Sequence, residues 1–359
     1  MSPGYIVYAR SGNLLAMPFD RSRLEVTGEA VPLVEDVQHS SVTGGAQFSL
    51  STSGALAYVP GGPAQDRGTL VWVDRKGVAR PVGSHPAGRY FDVSLSPDGG
   101  RLVVGSGVFE SDVWVYDLTR AVLSRLTSDR GNVSPIWTPD GKRVIYWKTS
   151  QTGGLFWRAA DGSGNEESVY KHERISTLGT APGSWSGDGR VLVFTIGDPA
   201  TTGTDLWTLS LDGDRKSKPL IQTQFSERQP ALSPDGRWLA YTSNRSGRPE
   251  VYVQPFPDLT AMSQISADGG VEPKWAANGR ELFYRSGDRM MAVDVRTQPN
   301  FQPQPARTLF EGSYNRSYDV APDGQHFVMI RQDEAATSLA EARVVLGWAE
   351  ELKRRLGSR

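Results

Sequence analysis

The sequence predicts an all-β repeat protein, because one four-residue turn motif recurs along the chain at a nearly constant spacing. The clearest copy is Ser96-Pro97-Asp98-Gly99. The copies, strong and weak, end at Gly54, Gly99, Gly141, Gly189, Gly236, Gly279 and Gly324. Successive glycines are therefore 45, 42, 48, 47, 43 and 45 residues apart. A period in the forties that is held over this many copies is typical of β-propeller blades.

Each repeat also contains the strands that a blade needs. In the turn, proline presets φ, aspartate bonds its own backbone and glycine takes the positive φ that closes a hairpin. An apolar stretch such as Ala231-Leu232 precedes the turn, and a β-rich stretch such as Trp238 to Tyr241 follows it. A third strand such as Val251 to Val253 comes next, before a short fourth one. Four antiparallel strands in each repeat make one propeller blade.

The predicted fold class is therefore a single all-β propeller of seven or eight four-stranded blades, of which we prefer eight. Partial blades are expected at both ends, and the N-terminal one lacks a first strand that would lie upstream of Met1. The predicted segments are a partial blade at 1–40, repeats at about 41–88, 89–131, 132–178, 179–225, 226–268 and 269–313, a partial blade at 314–348 and a short helix at 349–356.

The tryptophans follow the same period. Trp137, Trp185 and Trp275 precede the turn on first strands, whereas another group, including Trp114 and Trp207, lies in third strands. Large rings that recur at one structural position are most simply explained by packing between blades.

Composition excludes several classes of function. The 359 residues carry 39 Lys+Arg against 40 Asp+Glu and no cysteine. Such a balance leaves no basic surplus for a phosphate backbone, so we expect no nucleic-acid binding. A chain without cysteine has no disulfide, no thiolate zinc site and no Cys nucleophile. No apolar run approaches the ~18 residues of a spanning helix, so we expect a soluble chain without membrane insertion.

The compartment and the oligomeric state stay open at this point. The residues after Met1 have neither the basic head nor the apolar core of a signal peptide. The chain as written is therefore expected in the cytoplasm, or in the periplasm if it is part of a longer membrane-anchored polypeptide.

Enzyme motifs are incomplete in this sequence. Gly183 to Gly187 resembles a nucleophile elbow but has Trp185 in the central position. Ser168 to Lys171 fits Ser-x-x-Lys, yet no Lys-Thr-Gly follows it. The histidines lack metal-ligand spacing, and no calcium loop is present. We therefore expect no catalytic residue, no cofactor and no metal ligand in the chain.

The repeats resemble those of TolB-like propellers, which are built from the Pro-Asp-Gly version of the WD-type repeat. Several segments are more narrowly similar to the C-terminal propeller region of large bacterial membrane-associated Ser/Thr protein kinases: 12–20, 70–75, 250–257, 279–285 and 345–353. This resemblance implies a sensory or scaffolding propeller without catalysis. The kinase motifs themselves are absent from the chain, as is the separate α/β domain that TolB carries.

The strand order predicts where a ligand would bind. The Pro-Asp-Gly turns mark one face, so the starts of the first strands surround the channel mouth on the opposite face. Four residues before each turn lie Gln47, Asp92, Ser134, Pro182, Gln229, Glu272 and Ser317, which differ from repeat to repeat. Variable polar residues on a repeated scaffold are where specificity can be placed. The candidate binding residues at the mouth are Arg89, Asp92, Glu227, Arg228, Gln229, Glu272 and Arg316.

Two functions from different classes fit these observations. The favoured one is a non-catalytic propeller that binds a protein, a peptide or a small ligand at the channel mouth, as the sensor or scaffold part of a kinase-type polypeptide. The alternative is a propeller hydrolase or lactonase that holds a metal in the central channel, with Asp92 and Glu272 among its ligands. The sequence does not name the ligand.

Overall fold

The computed structural model describes residues 4–10, 12–39, 45–51, 54–61, 68–83, 88–106, 111–149, 153–171, 180–198, 203–213, 215–298, 300–332, 341–348, 350 and 354. The chain divides into two compact units. The smaller unit combines residues 1–67 with 333–359, and the larger unit is formed by residues 68–332.

Nearly all regular structure in the described residues is β-strand. The first strands are β1 (Gly4–Arg10), β2 (Asn13–Asp20), β3 (Glu25–Val26), β4 (Val31–Val34), β5 (Phe48–Leu50), β6 (Leu56–Tyr58), β7 (Gly68–Asp74) and β8 (Ala79–Pro81). The next are β9 (Tyr90–Leu95), β10 (Arg101–Ser106), β11 (Asp112–Asp117), β12 (Val122–Arg125), β13 (Asn132–Trp137), β14 (Arg143–Lys148), β15 (Gly154–Ala159), β16 (Glu167–Lys171), β17 (Ala181–Trp185), β18 (Val191–Asp198), β19 (Gly203–Ser210) and β20 (Ser217–Ile221). The last are β21 (Glu227–Leu232), β22 (Trp238–Ser243), β23 (Glu250–Pro255), β24 (Ser263–Gln264), β25 (Val271–Trp275), β26 (Glu281–Ser286), β27 (Arg289–Arg296), β28 (Gln302–Pro303), β29 (Arg307–Glu311), β30 (Tyr314–Val320), β31 (His326–Gln332) and β32 (Arg343–Val345).

The larger unit is a ring of antiparallel sheets. Four of them use consecutive strands, β9–β12, β13–β16, β17–β20 and β21–β24, and a fifth uses β25–β29. The sixth joins β30 and β31 to β7 and β8. Each first strand packs against the next around the cycle β9, β13, β17, β21, β25 and β30, and β30 packs against β9. The six first strands therefore form a closed inner ring.

The sixth sheet closes this ring by pairing distant parts of the chain. β31 pairs with β7 along their whole length, from His326 opposite Asp74 to Gln332 opposite Gly68. β8 then pairs with β7 at the outer edge. The last blade is thus completed by residues from the start of the larger unit, so no first or third strand in the ring is left without a neighbour.

The smaller unit contains two further sheets. In one, β2 pairs with β1, β3 and β4; in the other, β6 lies between β5 and β32. Leu14, Val37 and Leu56 form its buried apolar core.

The all-β propeller is confirmed, but the strands are distributed differently from the prediction of seven or eight blades in one ring. The eight described sheets are consistent with the predicted seven or eight blades, yet the inner ring of the larger unit closes on six first strands. The reason is that segment 41–88 supplies two sheets, with β5 and β6 pairing with β32 and β7 pairing with β31. Segment 314–348 is also divided between two sheets, because β30 and β31 belong to the ring whereas β32 pairs with β6.

The predicted C-terminal helix is described only in part. Trp348, Glu350 and Arg354 have helical backbone. The other residues of 349–356 lie outside the described part of the chain.

The turn chemistry follows the prediction. Gly99 has φ of 71°, which explains why glycine ends the motif. Asp98 Oδ1 accepts hydrogen bonds from Gly100 N at 3.0 Å and from Ser96 Oγ at 2.5 Å. The Ser96 hydroxyl and the Gly100 N–H hold the pKa of the Asp98 carboxyl below its usual value. The aspartates of these turns therefore stabilise hairpins.

Tryptophans of the first strands join neighbouring blades. Trp137 Nε1 donates to Ser94 O at 3.1 Å, and Trp275 Nε1 donates to Ala231 O at 3.0 Å. In both pairs the acceptor belongs to the first strand of the preceding blade. These contacts agree with the predicted role of the repeated tryptophans in packing between blades.

Candidate functional site

A central cavity of about 260 Å³ lies between the first strands of the ring. Each blade contributes the residue four positions before its turn. These lining residues are Asp92, Ser134, Pro182, Gln229, Glu272 and Ser317. The seventh equivalent position, Gln47, belongs to the smaller unit. One repeated position thus supplies five kinds of side chain from six blades to a single cavity.

Irregular pairing of the first strands exposes these residues to the cavity. The register of β13 shifts between Val133 and Ile136, and β17, β21, β25 and β30 have equivalent shifts. Ser134, Gln229 and Glu272 have φ of 52°, 56° and 56°. A left-handed conformation costs a non-glycine residue roughly 1–2 kcal/mol. The bulges redirect side chains towards the axis and leave local backbone strain in the cavity wall.

Several cavity side chains tie one blade to the next. Asp92 Oδ2 accepts a hydrogen bond from Ser134 N at 3.0 Å, and Gln229 Oε1 accepts one from Glu272 N at 3.1 Å. Ser317 Oγ accepts one from Val93 N at 3.0 Å. These side chains satisfy backbone N–H groups that the bulges free from the sheets. Part of the polar lining therefore has a structural role.

The two carboxyl groups that line the cavity are electrostatically unusual. Burial raises the pKa of Glu272 to about 7, and Asp92 adds to this rise, whereas Lys274 and Arg316 oppose it. Burial also raises the pKa of Asp92, against the opposing effects of Ser134 and Lys274. Gln229 Nε2 donates to Glu272 Oε1. Perturbed carboxyl groups in a cavity are typical of functional sites.

The cavity wall is chemically uneven. One side, formed by β13, β17 and β21, carries Pro135, Ile136, residues 181–183 and Pro230 together with the polar side chains of Ser134, Arg228 and Gln229. The other side carries Asp92, Glu272 and Lys274. A ligand that fits this cavity would need an apolar part and a polar or charged part.

The predicted binding residues divide into two groups. Asp92, Arg228, Gln229 and Glu272 line the cavity, whereas Arg89, Glu227 and Arg316 do not. Arg228 Nε donates to Thr204 Oγ1 and to Ser226 Oγ, both at 2.9 Å. Arg316 is exposed, and Arg89 is partly buried.

Glu227 lies inside the protein instead of facing the channel. It is 2% exposed, and its Oε1 accepts hydrogen bonds from Thr223 Oγ1 at 2.8 Å and Ser243 Oγ at 3.1 Å. Its Oε2 has no hydrogen-bond partner among the described residues. Burial raises the pKa of this carboxyl group, and Asp205 adds to the rise. Glu227 therefore belongs to a buried polar network behind the first strand.

Lys274 is a cavity residue that the sequence-based selection missed. Its Nζ lies 3.9 Å from Asp319 Oδ1 and acts electrostatically on Asp92 and Glu272. It follows Glu272 by two residues, and residues two apart share one face of a strand. That spacing was the signal that could have found it.

Glu272→Gln is expected to stabilise the protein above neutral pH by up to about 3 kcal/mol. Because the folded state raises the pKa of Glu272 from 4.5 to about 7, wild type loses stability as pH rises between these values. The glutamine variant does not titrate, so its advantage should grow over this range and then level off. Urea unfolding at several pH values measures it. The exposed control Glu311→Gln should show no such trend, and a pH-independent difference for Glu272→Gln would contradict the assignment.

Among the described residues, no group of three or more His, Asp or Glu residues could hold a metal ion. No helix in the same described ranges is long and apolar enough to cross a membrane.

Comparison with known proteins relates this ring to a family. Residues 172–343 match the family described as the TolB beta propeller domain, PD40. This part of the chain is therefore similar to that family. The chain is also similar to the structure of putative TolB from Agrobacterium tumefaciens, with a TM-score of 0.60 at 18% identity. That similarity covers 74% of this chain and 98% of the other, and it supports the fold alone.

Shorter segments of the chain are similar to curated proteins. Tricorn protease homolog 1 of Streptomyces coelicolor is 33% identical over 97 residues, which are 26% of this chain and 8% of that protein. Protein TolB homolog of Chlorobium luteolum is 31% identical over 75 residues, or 21% of this chain and 17% of that protein. The chain thus matches less than a fifth of the length of these relatives.

Proposed function

We propose that this protein is a non-catalytic binding propeller whose central cavity receives part of a protein, a peptide or a small ligand. The observation that carries the proposal is the convergence on one cavity of six equivalent positions, one from each blade, that carry five kinds of residue. A repeated scaffold that varies at one position can change specificity without changing its core. The TolB-like match supports this function as a fold-level analogy.

The size of the cavity limits what enters it. About 260 Å³ is slightly below the usual range for a drug-sized ligand, roughly 300–1,000 Å³. A side chain, a chain end or a small molecule fits this space, whereas a folded element does not. A protein partner would therefore insert one group into the cavity and make its remaining contacts on the surrounding face.

Peptide selection tests this proposal. Short random peptides displayed on phage would be selected on wild type and then measured against Ser134→Phe, which fills the cavity. We expect binding to Ser134→Phe to weaken at least about tenfold, or about 1.4 kcal/mol. The control Gln298→Phe adds the same aromatic ring at an exposed position away from the cavity. Gln298 lies near the repeated turn that contains Asn278 and Gly279. If no peptide is enriched, or if both variants bind like wild type, the cavity is not the binding site.

We also propose that the propeller is the sensor or scaffold part of a kinase-type polypeptide. Five segments support this by resemblance, among them 250–257 and 279–285, which include β23 and most of β26. The genomic sequence upstream of Met1 is the simplest test. An open reading frame that continues into a membrane segment and kinase motifs would support the proposal, and an in-frame stop codon directly upstream would contradict it.

A further inference from the structure

Two carboxyl groups, Asp92 and Glu272, and two cationic groups, Arg228 and Lys274, line the cavity. A third carboxyl group, that of Asp319, lies beside it. Against these carboxyl groups stands one ammonium group, that of Lys274, at 3.9 Å from Asp319 Oδ1. The guanidinium of Arg228 is directed to the hydroxyl groups of Thr204 and Ser226.

The carboxyl groups differ in how far the protein already satisfies them. Asp319 Oδ2 accepts from Ser94 Oγ at 3.2 Å and from Leu95 N at 2.9 Å, and its Oδ1 accepts from Val320 N at 2.9 Å. Asp319 is therefore a structural group. Glu272 is different, because Gln229 occupies its Oε1 while no described residue donates a hydrogen bond to its Oε2. A half-satisfied carboxyl group in a cavity leaves room for a donor from outside.

The opposite wall of the cavity indicates which kind of ligand group should bear this hydrogen-bond donor. Pro135, Ile136, Pro182 and Pro230 form a rigid apolar surface across from the carboxyl groups. Such a surface suits a methylene chain or a proline-rich backbone, and it suits a strongly hydrated free ion poorly. Lys274 already shows that an ammonium group on an aliphatic stem fits beside these carboxylates.

We propose that the cavity binds a protonated amine or a guanidinium on an apolar stem, with the cation between Asp92 and Glu272. The amine can belong to a basic side chain of an extended peptide or to a free alkylamine, since the recognised chemistry is the same. This inference rests on the proposed binding function and specifies the class of ligand.

Binding of this cation should release a proton from Glu272. A cation beside the carboxyl group favours its ionised form, and at pH 7 the free group is about half protonated. The release should therefore approach half a proton per ligand at that pH. The charged or titratable groups around Glu272 on the surrounding strands are Asp92 of β9, Arg228 of β21, Lys274 of β25, and Arg316, Tyr318 and Asp319 of β30. β13 and β17 contribute no titratable side chain to the lining.

Calorimetry with matched probes tests the inference. The probes are acetyl-Ala-Pro-Lys-Pro-Ala-amide, the same peptide with an Nε-acetylated lysine, and cadaverine. We expect the lysine peptide to bind at least about tenfold more tightly than its acetylated form. Buffers of different ionisation enthalpy should reveal the released proton. Cadaverine binding as tightly as the peptide would assign the site to free amines, and weaker cadaverine binding would assign it to peptides.

Substitutions of Glu272 and Asp92 test whether the lysine peptide binds in this cavity. Glu272→Gln keeps an acceptor for Gln229, and Asp92→Asn keeps one for Ser134 N, so both should fold. Each should weaken the lysine peptide at least about tenfold, and Glu272→Gln should abolish proton release. Glu311→Gln removes the same charge from the outer strand β29 and should bind like wild type.

Other results would overturn the inference without overturning the binding function. Equal affinity for the acetylated and unacetylated peptides would show that the cavity binds ligands but does not select a cation. The same conclusion would follow if none of the three probes bound while phage-selected peptides bound wild type but not the cavity-filling variant Ser134→Phe. Displacement of the lysine peptide by Ca²⁺ at equal concentration would show a metal site instead.

Discussion

Replacing Phe327 with alanine is expected to lower the free energy of unfolding of the larger unit by about 4 kcal/mol. Phe327 is completely buried on β31, the strand that closes the ring with β7. Its ring lies 5.1 Å from Phe283, 5.7 Å from Phe310 and 6.4 Å from Tyr318. The substitution leaves a cavity and removes these aromatic contacts, which add to the loss from reduced apolar burial.

Urea unfolding followed by tryptophan fluorescence measures this loss. Phe327→Leu retains most of the volume and should cost less than half as much as alanine. Leu24→Ala, at a position that is 76% exposed, should change stability by less than about 0.5 kcal/mol. A loss below about 1 kcal/mol for Phe327→Ala would show that β31 is not packed as described.

Glu281→Ala is expected to cost about 2–3 kcal/mol, because it removes the carboxylate that Arg75 and Arg307 share. Arg75 follows β7 and donates from Nη2 to Glu281 Oε1 at 2.7 Å and from Nη1 to Oε2 at 2.9 Å. Arg307 Nη2 donates to the same Oε1 at 2.7 Å. The side chains of Arg75 and Glu281 are only 21% and 15% exposed, so solvent screens this bidentate pair weakly. The pair joins the closing blade to its neighbour.

The cost should depend on pH. Burial alone would raise the pKa of Glu281, but Arg75 and Arg307 more than offset this and hold it below its usual value. A carboxyl group with a lowered pKa stabilises the fold above its unfolded pKa and loses that effect as pH falls through the folded one. The difference between wild type and Glu281→Ala should therefore shrink in acid. Glu25→Ala on the exposed strand β3 is the control, and an equal difference at all pH values would contradict the ion pair.

The all-β propeller class could be predicted from the sequence because its signals are local. The turn from Ser96 to Gly99 combines residues that each favour the same hairpin, and the cavity residues follow from a fixed distance to that turn. Ring closure could not be predicted in this way. β7 is the next strand after β6 in the sequence, but it pairs with β31. The paired residues Asp74 and His326 lie far apart in the sequence. A copy of the repeated turn motif precedes β6, and another copy precedes β31. The local sequence pattern therefore does not show which of these two strands pairs with β7.

The candidate site was predictable by position but not by environment. Asp92, Gln229 and Glu272 were selected because they occupy one repeated position, and the structure brings them to one cavity. Glu227 was selected because it is charged and adjacent, yet its side chain is packed behind the strand. The facing direction of such a residue depends on the bulges in the first strands. Strand periodicity gives no warning of a bulge.

The pairing of Gly68 with Gln332 has a consequence for how this molecule can be built into longer ones. The larger unit begins and ends on adjacent strands of one blade, so the polypeptide enters and leaves the ring at a single seam. Sequence added before residue 68 or after residue 332 leaves the order of the blades unchanged. The ring is therefore suited to insertion as a domain into another protein through one pair of linkers.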